Sequence, residues 1–445
     1  MVYPPFLILE RMKFSQFNSI VFYNNKFFIY NAFSNNFLLI EPLLKDLLDA
    51  AKLDNDAAGL EEIHPLFYAK LVQDGFIVAD DKDEVQKVKH LREQVDLLDD
   101  QNYVLTINPT MNCNFSCWYC YEDHIKDSKM NKEMVENVIT HIKTVHQNLP
   151  HLKDFALSWF GGEPLLQYSN VVDPVLTFCK SYFDSKGVNF RSVFTTNGFL
   201  INRKMVEKFK ETNVNGFQIT LDGHRDMHDK VRFVNSKRGS YDEIVENIMM
   251  LCREGFDVNL RINYTKDNLK SATSILADIL PLEPEYRENL EVAFRKVWQE
   301  TDKTLGPQVV SFAKMFRAAG FKAISGGSPD NVRRSCYADK KNHATINFNG
   351  EVYKCTARNF ASSAKEGDLN KNGQVDWNEK YHDRLDIKFK NPPCLVCPIL
   401  PICNGGCSQK ALENAGKDYC VFNFDENAKK TMVLNKILEM AVETA

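Results

Sequence analysis

The 445-residue sequence predicts an α/β fold whose centre is a partial (β/α)6 TIM-like barrel. Six short apolar runs alternate with helical patterns through the middle of the chain, and such alternation builds a parallel sheet with helices outside it. Three cysteines directly follow the first of these runs, at the strand end where barrels of this kind place their chemistry. A small mixed unit precedes the barrel, and a cysteine-rich segment follows it.

Composition excludes several classes of partner. The 55 Lys and Arg residues nearly balance the 59 Asp and Glu residues, so a net charge of −4 gives no field that would attract nucleic acid or an anionic membrane. No apolar stretch reaches the roughly 18 residues that a membrane span needs. Glu10 and Arg11 interrupt the N-terminal apolar run that a secretion signal would require. We therefore expect a cytoplasmic protein, in which the 12 cysteines are metal ligands or catalysts rather than disulfides.

The first hundred residues contain no cysteine and predict a small α+β unit. Asn24-Asn25 separates two alternating runs and predicts a β-hairpin. Helical patterns cover Leu38–Ala51, with the helix entry near Pro42, and Leu66–Gln73, which ends before Asp74-Gly75. A charged stretch with apolar residues at helical spacing predicts a bridging helix over residues 81–100.

The predicted barrel contains six strands, which are Val104–Asn108, Phe155–Phe160, Phe190–Thr196, Phe217–Asp222, Val258–Asn263 and Leu290–Arg295. Helical patterns between them cover Val171–Phe183, Arg203–Thr212 and Tyr241–Arg253. Cys179 and Cys252 share helical faces with apolar residues, so we expect both to be core residues rather than ligands.

A first cysteine group, Cys113, Cys117 and Cys120, lies on the loop that leaves the first barrel strand. Three closely spaced thiolates can hold three irons of a 4Fe–4S cluster and leave the fourth iron open for a substrate or cofactor. The alternative is a zinc site in which His124 supplies a fourth ligand, but zinc sites rarely use this spacing.

The cysteine loop and the segments that follow the next strands together resemble the radical S-adenosylmethionine (radical SAM) superfamily. The matching positions, over about residues 100–320, are Tyr119, Gly161, Gly162, Glu163, Thr195, Asn197, Thr220 and Asp222. Each of these short motifs alone usually indicates only a turn. Here they occur in the same order as in the family, and each lies at the C-terminal end of a predicted strand. The resemblance implies that these residues lie around SAM, with the glycine motif hydrogen-bonding the methionine amino group.

This resemblance also implies an activity. In the family, the open iron chelates the methionine end of SAM, and one electron from a donor such as flavodoxin or ferredoxin yields a 5′-deoxyadenosyl radical that removes hydrogen from unactivated carbon. Arg232 and Arg261 are candidates to pair with the SAM carboxylate, although a surface ion pair is an equal alternative for each.

The C-terminal cysteines resemble those of the SPASM domain, an auxiliary-cluster module of radical SAM enzymes. Family ligation implies one 4Fe–4S cluster on Cys394, Cys397, Cys403 and Cys420, and another on Cys336, Cys355 and Cys407, which makes three clusters in all. The second set has only three cysteines, so that cluster has an open iron or a ligand such as Asp339, Lys341 or His343. Two structural zinc sites are the alternative.

The resemblance leads to a predicted domain order: residues 1–80 as a leader-peptide-recognition-like, winged-helix-like domain, 81–100 as the bridging helix, 101–325 as the radical SAM domain, 326–425 as the SPASM domain and 426–445 as a C-terminal helix. One further motif, Asp368 to Glu379, fits the EF-hand calcium-loop pattern. Because no amphipathic helix precedes it, we interpret Asn372-Gly373 as a hairpin turn instead.

The favoured function is a peptide maturase that installs a thioether, ether or carbon–carbon cross-link in a ribosomally made precursor peptide with a leader segment. A sulfatase-maturing enzyme that forms formylglycine is an alternative, as is a peptide epimerase. Sulfatase-maturing enzymes typically place an aspartate base after the cysteine that corresponds to Cys355, where this chain has Thr356. A non-catalytic iron–sulfur or zinc protein is the alternative from another class. The sequence identifies no catalytic base.

Overall fold

The computed structural model describes residues 11–325 and 331–443 of the chain. The N-terminal apolar run up to Glu10 lies outside the described residues. The predicted domain boundary at residues 325–326 lies partly outside them, because the description stops at residue 325 and resumes at residue 331. None of the helices in the described part of the chain has the length and hydropathy that a membrane span requires.

The strands are, in chain order, β1 (Met12–Phe14), β2 (Asn18–Tyr23), β3 (Lys26–Asn31), β4 (Asn36–Ile40), β5 (Ile77–Ala79), β6 (Asn102–Asn108), β7 (Asp154–Trp159), β8 (Asn189–Thr196), β9 (Val214–Leu221), β10 (Phe233–Asn235), β11 (Arg238–Gly239), β12 (Asp257–Tyr264), β13 (Leu290–Lys296), β14 (Lys322–Ile324), β15 (His343–Asn347), β16 (Glu351–Tyr353), β17 (Gly367–Leu369) and β18 (Val375–Trp377).

The α-helices are α1 (Pro42–Leu53), α2 (Gly59–Ile63), α3 (Pro65–Gln73), α4 (Glu84–Asp96), α5 (Lys132–Asn148), α6 (Asp173–Asp184), α7 (Arg203–Glu211), α8 (Arg225–His228), α9 (Tyr241–Arg253), α10 (Ala272–Ile279), α11 (Gly306–Ala318), α12 (Glu379–Asp386), α13 (Pro392–Leu395), α14 (Leu400–Cys403), α15 (Ser408–Glu413) and α16 (Glu426–Glu443).

The chain forms two compact units. The first comprises residues 1–98, 329–341 and 383–445, and the second comprises residues 99–328 and 342–382. Both are therefore built from segments that are distant in sequence.

The second unit is organised around an 11-stranded sheet in the order β14-β13-β12-β9-β8-β7-β6-β15-β16-β17-β18. Strands from β14 to β15 run parallel, and β16, β17 and β18 continue the sheet in antiparallel fashion. This mixed α/β fold with a large, mostly parallel sheet confirms the predicted fold class, a partial (β/α) barrel. All six predicted barrel strands are present.

Alternation along these strands separates a core face from a polar face. Trp159, Phe194 and Phe217, on β7, β8 and β9, are buried and stack in series, with ring centroids 5.8 Å and 5.5 Å apart. Cys179 and Cys252 are fully buried in the same core, which confirms their predicted packing role. The intervening strand residues point to the opposite face, which collects the polar side chains used by the site described below.

The first unit contains the three-stranded sheet β2-β3-β4 and the pair β1-β5. The predicted hairpin is confirmed: β2 pairs antiparallel with β3, and Asn24 and Asn25 both have the positive φ (47° and 58°) that a tight two-residue turn requires. The helical assignment of Leu38–Ile40 was wrong, because these residues pair with β3. The predicted helix entry near Pro42 is confirmed, because the helix begins at that residue. Proline suits the first helical turn, and it keeps Glu41 before it extended.

The EF-hand-like segment is a hairpin in the structure. Strands β17 and β18 pair antiparallel across it, and the Asn370 side chain accepts hydrogen bonds from the backbone N–H groups of Asn372 and Gln374. A Cβ added to Gly373 would lie 2.6 Å from the backbone nitrogen of His141 on α5, so glycine permits the hairpin to pack on that helix. The interpretation as a turn is confirmed.

Candidate functional site

The first cysteine group occupies the loop between β6 and α5. Cys113 and Cys117 are half-buried and Cys120 is exposed. Cys113 Sγ accepts a hydrogen bond from the Phe115 N–H at 3.4 Å, and the Cys120 N–H donates to the Cys117 carbonyl at 3.0 Å, which folds the loop into a turn. Burial raises the pKa of the Cys113 thiol to about 12. Iron binding at this loop would therefore have to displace thiol protons.

The glycine motif after β7 packs directly on the cysteine loop. Gly161 has φ +97°, and a Cβ there would lie 2.5 Å from the Thr110 carbonyl oxygen. A Cβ on Gly162 would lie 2.3 Å from the Asn112 carbonyl oxygen, and the Gly162 N–H donates to the Thr110 oxygen at 3.1 Å. Glycine is therefore required at both positions so that the backbone of the motif can approach the backbone of the cysteine loop closely. A side chain would also prevent close approach to a ligand.

Glu163 connects this loop to the end of β8. Its fully buried carboxylate accepts hydrogen bonds from the Thr196 hydroxyl at 2.7 Å, the Asn197 N–H at 2.8 Å and the Leu165 N–H at 3.0 Å. Burial raises its pKa, and these three donors oppose that shift. Glu163 thus fixes the relative position of its own loop and the loop after β8, both of which the radical SAM resemblance predicts to lie near SAM.

Tyr119 is the centre of a second network. Its hydroxyl donates to Asp222 Oδ1 at 2.6 Å and accepts from Arg232 Nη2 at 3.0 Å and from Asn263 Nδ2 at 3.1 Å. Arg232 Nε also pairs with Asp222 Oδ2 at 2.6 Å. The network joins the cysteine loop to the ends of β9 and β12. It includes Asn263, which no sequence motif had identified.

The other predicted contacts lie at the same end of the sheet. Thr195 and Thr220 are half-buried on β8 and β9. Asn197 Nδ2 donates to Asn114 Oδ1 at 2.8 Å and lies 4.0 Å from Cys113 Sγ. The structure therefore brings the predicted SAM-contact residues and the first cysteine group to one end of the parallel strands.

In the first unit, four cysteines surround one cavity. Cys394, Cys397, Cys403 and Cys420 line it together with Ile399, Leu400, Tyr419, Val421, Phe422 and Phe424. Asn391 Nδ2 donates a hydrogen bond to Cys394 Sγ at 3.0 Å and another to the Tyr419 carbonyl at 2.7 Å. An apolar cavity lined by four thiols fits a 4Fe–4S cluster.

No three His, Cys, Asp or Glu side chains within residues 11–325 and 331–441 converge on a position where one metal ion could bind. His124 Nε2 lies 3.6 Å from Cys120 Sγ, without two further ligands at the same point. A cubane presents its irons at separate corners, so its thiolates lie farther apart than those around a single ion.

The remaining three C-terminal cysteines are divided between the units: Cys336 and Cys407 belong to the first, and Cys355 belongs to the second. Their joint ligation of a cluster stays a prediction. Asp339, considered as an extra ligand, pairs with Lys388 at 3.1 Å, and both side chains are almost fully buried.

Residues 107–275 match the family model described as the Radical SAM superfamily. The chain is 32% identical over 153 residues to the cysteine-type anaerobic sulfatase-maturating enzyme of Clostridium novyi, which is 34% of this chain and 40% of that protein. It is 24% identical over 404 residues to the radical SAM cyclopropyl synthase TigE of Paramaledivibacter caminithermalis, which is 84% of this chain and 81% of that protein. The chain spans about 40% of the length of the curated relatives that it matches first.

Among solved structures, the fold is similar to Streptococcus suis SuiB bound to precursor peptide SuiA, with a TM-score of 0.54 and 16% identity. The match covers 93% of this chain and all (100%) of that chain. The matched domain spans the cysteine loop, the glycine motif and the Tyr119 network, and such a domain implies a 4Fe–4S cluster and SAM. Residues 107–275 of this chain therefore form a domain of the Radical SAM superfamily type.

Proposed function

We propose that the protein is a radical SAM peptide maturase that cross-links residues of a ribosomally made precursor peptide. The observation that supports this most is the placement of the Cys113–Cys120 loop, the glycine motif and Glu163 against one another at one end of the barrel strands. When bound there, the cluster and SAM supply a 5′-deoxyadenosyl radical that removes hydrogen from carbon. We further propose that two auxiliary 4Fe–4S clusters would be held by the cysteines that the SPASM resemblance implies, and that they would supply electron-transfer capacity.

The chain's own residues orient the reactants. Gly161 and Gly162 leave their backbone groups close to the cysteine loop, and Glu163 holds that arrangement through three hydrogen bonds. Tyr119, tied to Asp222 and Arg232, holds the loop from the other side. These contacts would place SAM against the open iron and keep water away from the radical.

The first unit suggests how a leader would bind. Strand β4 forms one edge of the β2-β3-β4 sheet, and in the described residues no further strand pairs with it. Helix α16 packs near β2, at the other edge. An edge strand offers unpaired N–H and C=O groups to which an extended peptide can add as a strand, and Leu39 on β4 is 51% exposed. We propose that residues 1–80 recognise the leader in this way.

A sulfatase-maturing activity is the second candidate, because the Clostridium novyi relative has the highest identity of those described above. That alignment covers only 34% of the chain. The half-buried residue after Cys355 is Thr356, whose hydroxyl cannot act as a carboxylate base. The SuiB-like fold, by contrast, extends over 93% of this chain. These two facts favour the peptide maturase.

Mass spectrometry of a precursor peptide encoded beside the gene and co-expressed with the protein tests this proposal. We expect the loss of two hydrogens for each cross-link, and no modification of a peptide that lacks its leader. An unchanged mass with deuterium uptake would indicate epimerisation instead. Conversion of Cys or Ser to formylglycine would support the sulfatase-type alternative, and an unmodified peptide would contradict the maturase proposal.

Asn391 provides a test of the cluster proposed in the first unit. Its side-chain N–H bonds Cys394 Sγ, and such bonds stabilise the more negative, reduced state of a cluster. We expect Asn391→Leu to lower the midpoint potential of this cluster, measured by an EPR-monitored redox titration of protein whose first three cysteines are replaced by alanine. Asn414→Leu, which removes an amide bonded to the Lys410 carbonyl, is the matched control. An unshifted potential in Asn391→Leu would contradict the assignment.

A further inference from the structure

Two arginines extend from neighbouring barrel strands on the polar face of the sheet. Arg261 lies on β12 and Arg295 on β13, and the parallel register pairs Arg261 with Ala293 and Asn263 with Arg295. Arg261, Asn263 and Arg295 therefore share one face, opposite to the buried Leu260 and Ile262. Both arginines are half-buried, near the end of the strands where the cysteine loop lies.

The charges of the local arginines are compensated to different degrees. Arg232 forms an ion pair with Asp222 at 2.6 Å. Arg261 instead donates through Nε to the neutral Asn263 amide oxygen at 2.7 Å, and in the described ranges no carboxylate lies within ion-pair distance of it. Burial lowers the pKa of Arg261, and the nearby Arg295 lowers it further, but a guanidinium keeps its charge in proteins.

A half-buried cation beside another cation is unfavourable unless an anion joins it. The Nη groups of Arg261 have no hydrogen-bond partner within the part of the chain that the structure describes, so a planar, bidentate acceptor would satisfy them. We propose, as an extension of the maturase function above, that Arg261 together with Arg295 binds the carboxylate of an Asp or Glu side chain in the substrate peptide.

The peptide is a better source of this carboxylate than SAM. Strands β8 and β9 separate β7, which leads to the glycine motif, from β12, which bears Arg261. Three strand spacings amount to about 14 Å along the sheet. The carboxylate of SAM is attached to the same carbon as its amine, so a SAM held at the glycine motif by its amine keeps its carboxylate away from Arg261.

A stacked pair of aromatic rings, formed by half-buried Tyr121 and exposed Trp298, offers contact area for a peptide near Arg261. Tyr121, one residue beyond the third cysteine, stacks on Trp298 with ring centroids 5.0 Å apart. Trp298 is 58% exposed and follows β13. A peptide that lies over this pair can direct an acidic side chain towards Arg261.

The test compares the anaerobically reconstituted full-length wild type with Arg261→Gln, Arg261→Lys and the control Arg191→Gln, an exposed arginine on β8. The probes are SAM and synthetic copies of the precursor peptide encoded beside the gene. One set of copies has each Asp or Glu replaced in turn by Asn or Gln, and another has an amidated C-terminus. SAM and peptide dissociation constants, KM and kcat are measured separately, and iron content and circular dichroism verify folding.

We expect Arg261→Gln to raise the dissociation constant and KM of the peptide about 10- to 100-fold while the dissociation constant of SAM changes less than about threefold. One of the peptides with an acidic residue changed to its amide should bind the wild type more weakly by the same factor. Its affinity should not fall further when it is tested with Arg261→Gln, because the two changes remove the same interaction. Arg261→Lys should recover part of the affinity.

Three results would overturn the inference: a rise in the SAM dissociation constant for Arg261→Gln, coupling to the amidated C-terminus rather than to an acidic side chain, or equal losses with every peptide. Failure of the maturase proposal gives a different result, which is a wild type that cleaves SAM but leaves every peptide unmodified.

Discussion

Replacing Cys117 with alanine is expected to reduce the release of 5′-deoxyadenosine from SAM by more than about 100-fold, since even the outer partners of metal ligands are worth 10–100-fold. Cys117 lies between Cys113 and Cys120 on the loop after β6, and no other cysteine of that loop can replace it. The measurement is chromatographic quantification of 5′-deoxyadenosine from anaerobically reconstituted protein with dithionite.

The chain contains its own matched control for this experiment. Cys252 is fully buried among apolar side chains of the same unit, so Cys252→Ala should retain the iron bound by the wild type and its rate of SAM cleavage. Cys117→Ala should lose the iron of one cluster. Equal rates in Cys117→Ala and wild type would mean that the loop holds no catalytic cluster, and would favour the non-catalytic iron–sulfur or zinc alternative.

Replacing Glu163 with glutamine is expected to destabilise the second unit by about 2–4 kcal/mol, because the side-chain NH2 group would face buried donors that now bond the carboxylate. The donors are the Thr196 hydroxyl and the N–H groups of Asn197 and Leu165. Since Glu163 also fixes the loop beside the cysteines, we expect SAM to bind at least about tenfold more weakly to the folded variant.

Urea unfolding followed by fluorescence, together with SAM binding by equilibrium dialysis, measures both effects. Glu246→Gln removes an exposed carboxylate on α9 and should match the wild type in both assays. If Glu163→Gln behaved like Glu246→Gln, the buried carboxylate would have no organising role in the loops.

Much of the barrel was predictable because its strands are short apolar runs that end in recognisable turns. The spacing of Cys113, Cys117 and Cys120 and the order of the motifs after them were sufficient to place the site at one end of the sheet. The strand at Leu38–Ile40 could not be predicted, because a leucine-rich run before Pro42 fits a helix and a strand equally well until its pairing with β3 is known.

Long-range pairing accounts for the other features that the sequence does not reveal. Strand β15 joins the parallel sheet beside β6, although Asn347 lies 239 positions after its partner Asn108 and no periodic signal connects them. The contacts of Tyr119 with Asp222, Arg232 and Asn263 likewise depend on bringing together four loops and strand ends. Single residues in such networks have no local sequence signature, so only the fold identifies Asn263.

We propose that this chain binds a cluster with an open iron and uses it to cleave SAM. Quantification of 5′-deoxyadenosine and methionine released from SAM by the reconstituted wild-type protein under dithionite, alongside its EPR spectrum, tests this proposal directly. We predict release of the two products in equal amounts, together with a reduced 4Fe–4S signal that changes when SAM is added. A protein that shows the 4Fe–4S signal, yet leaves SAM intact and its spectrum unaltered by SAM, would contradict the account.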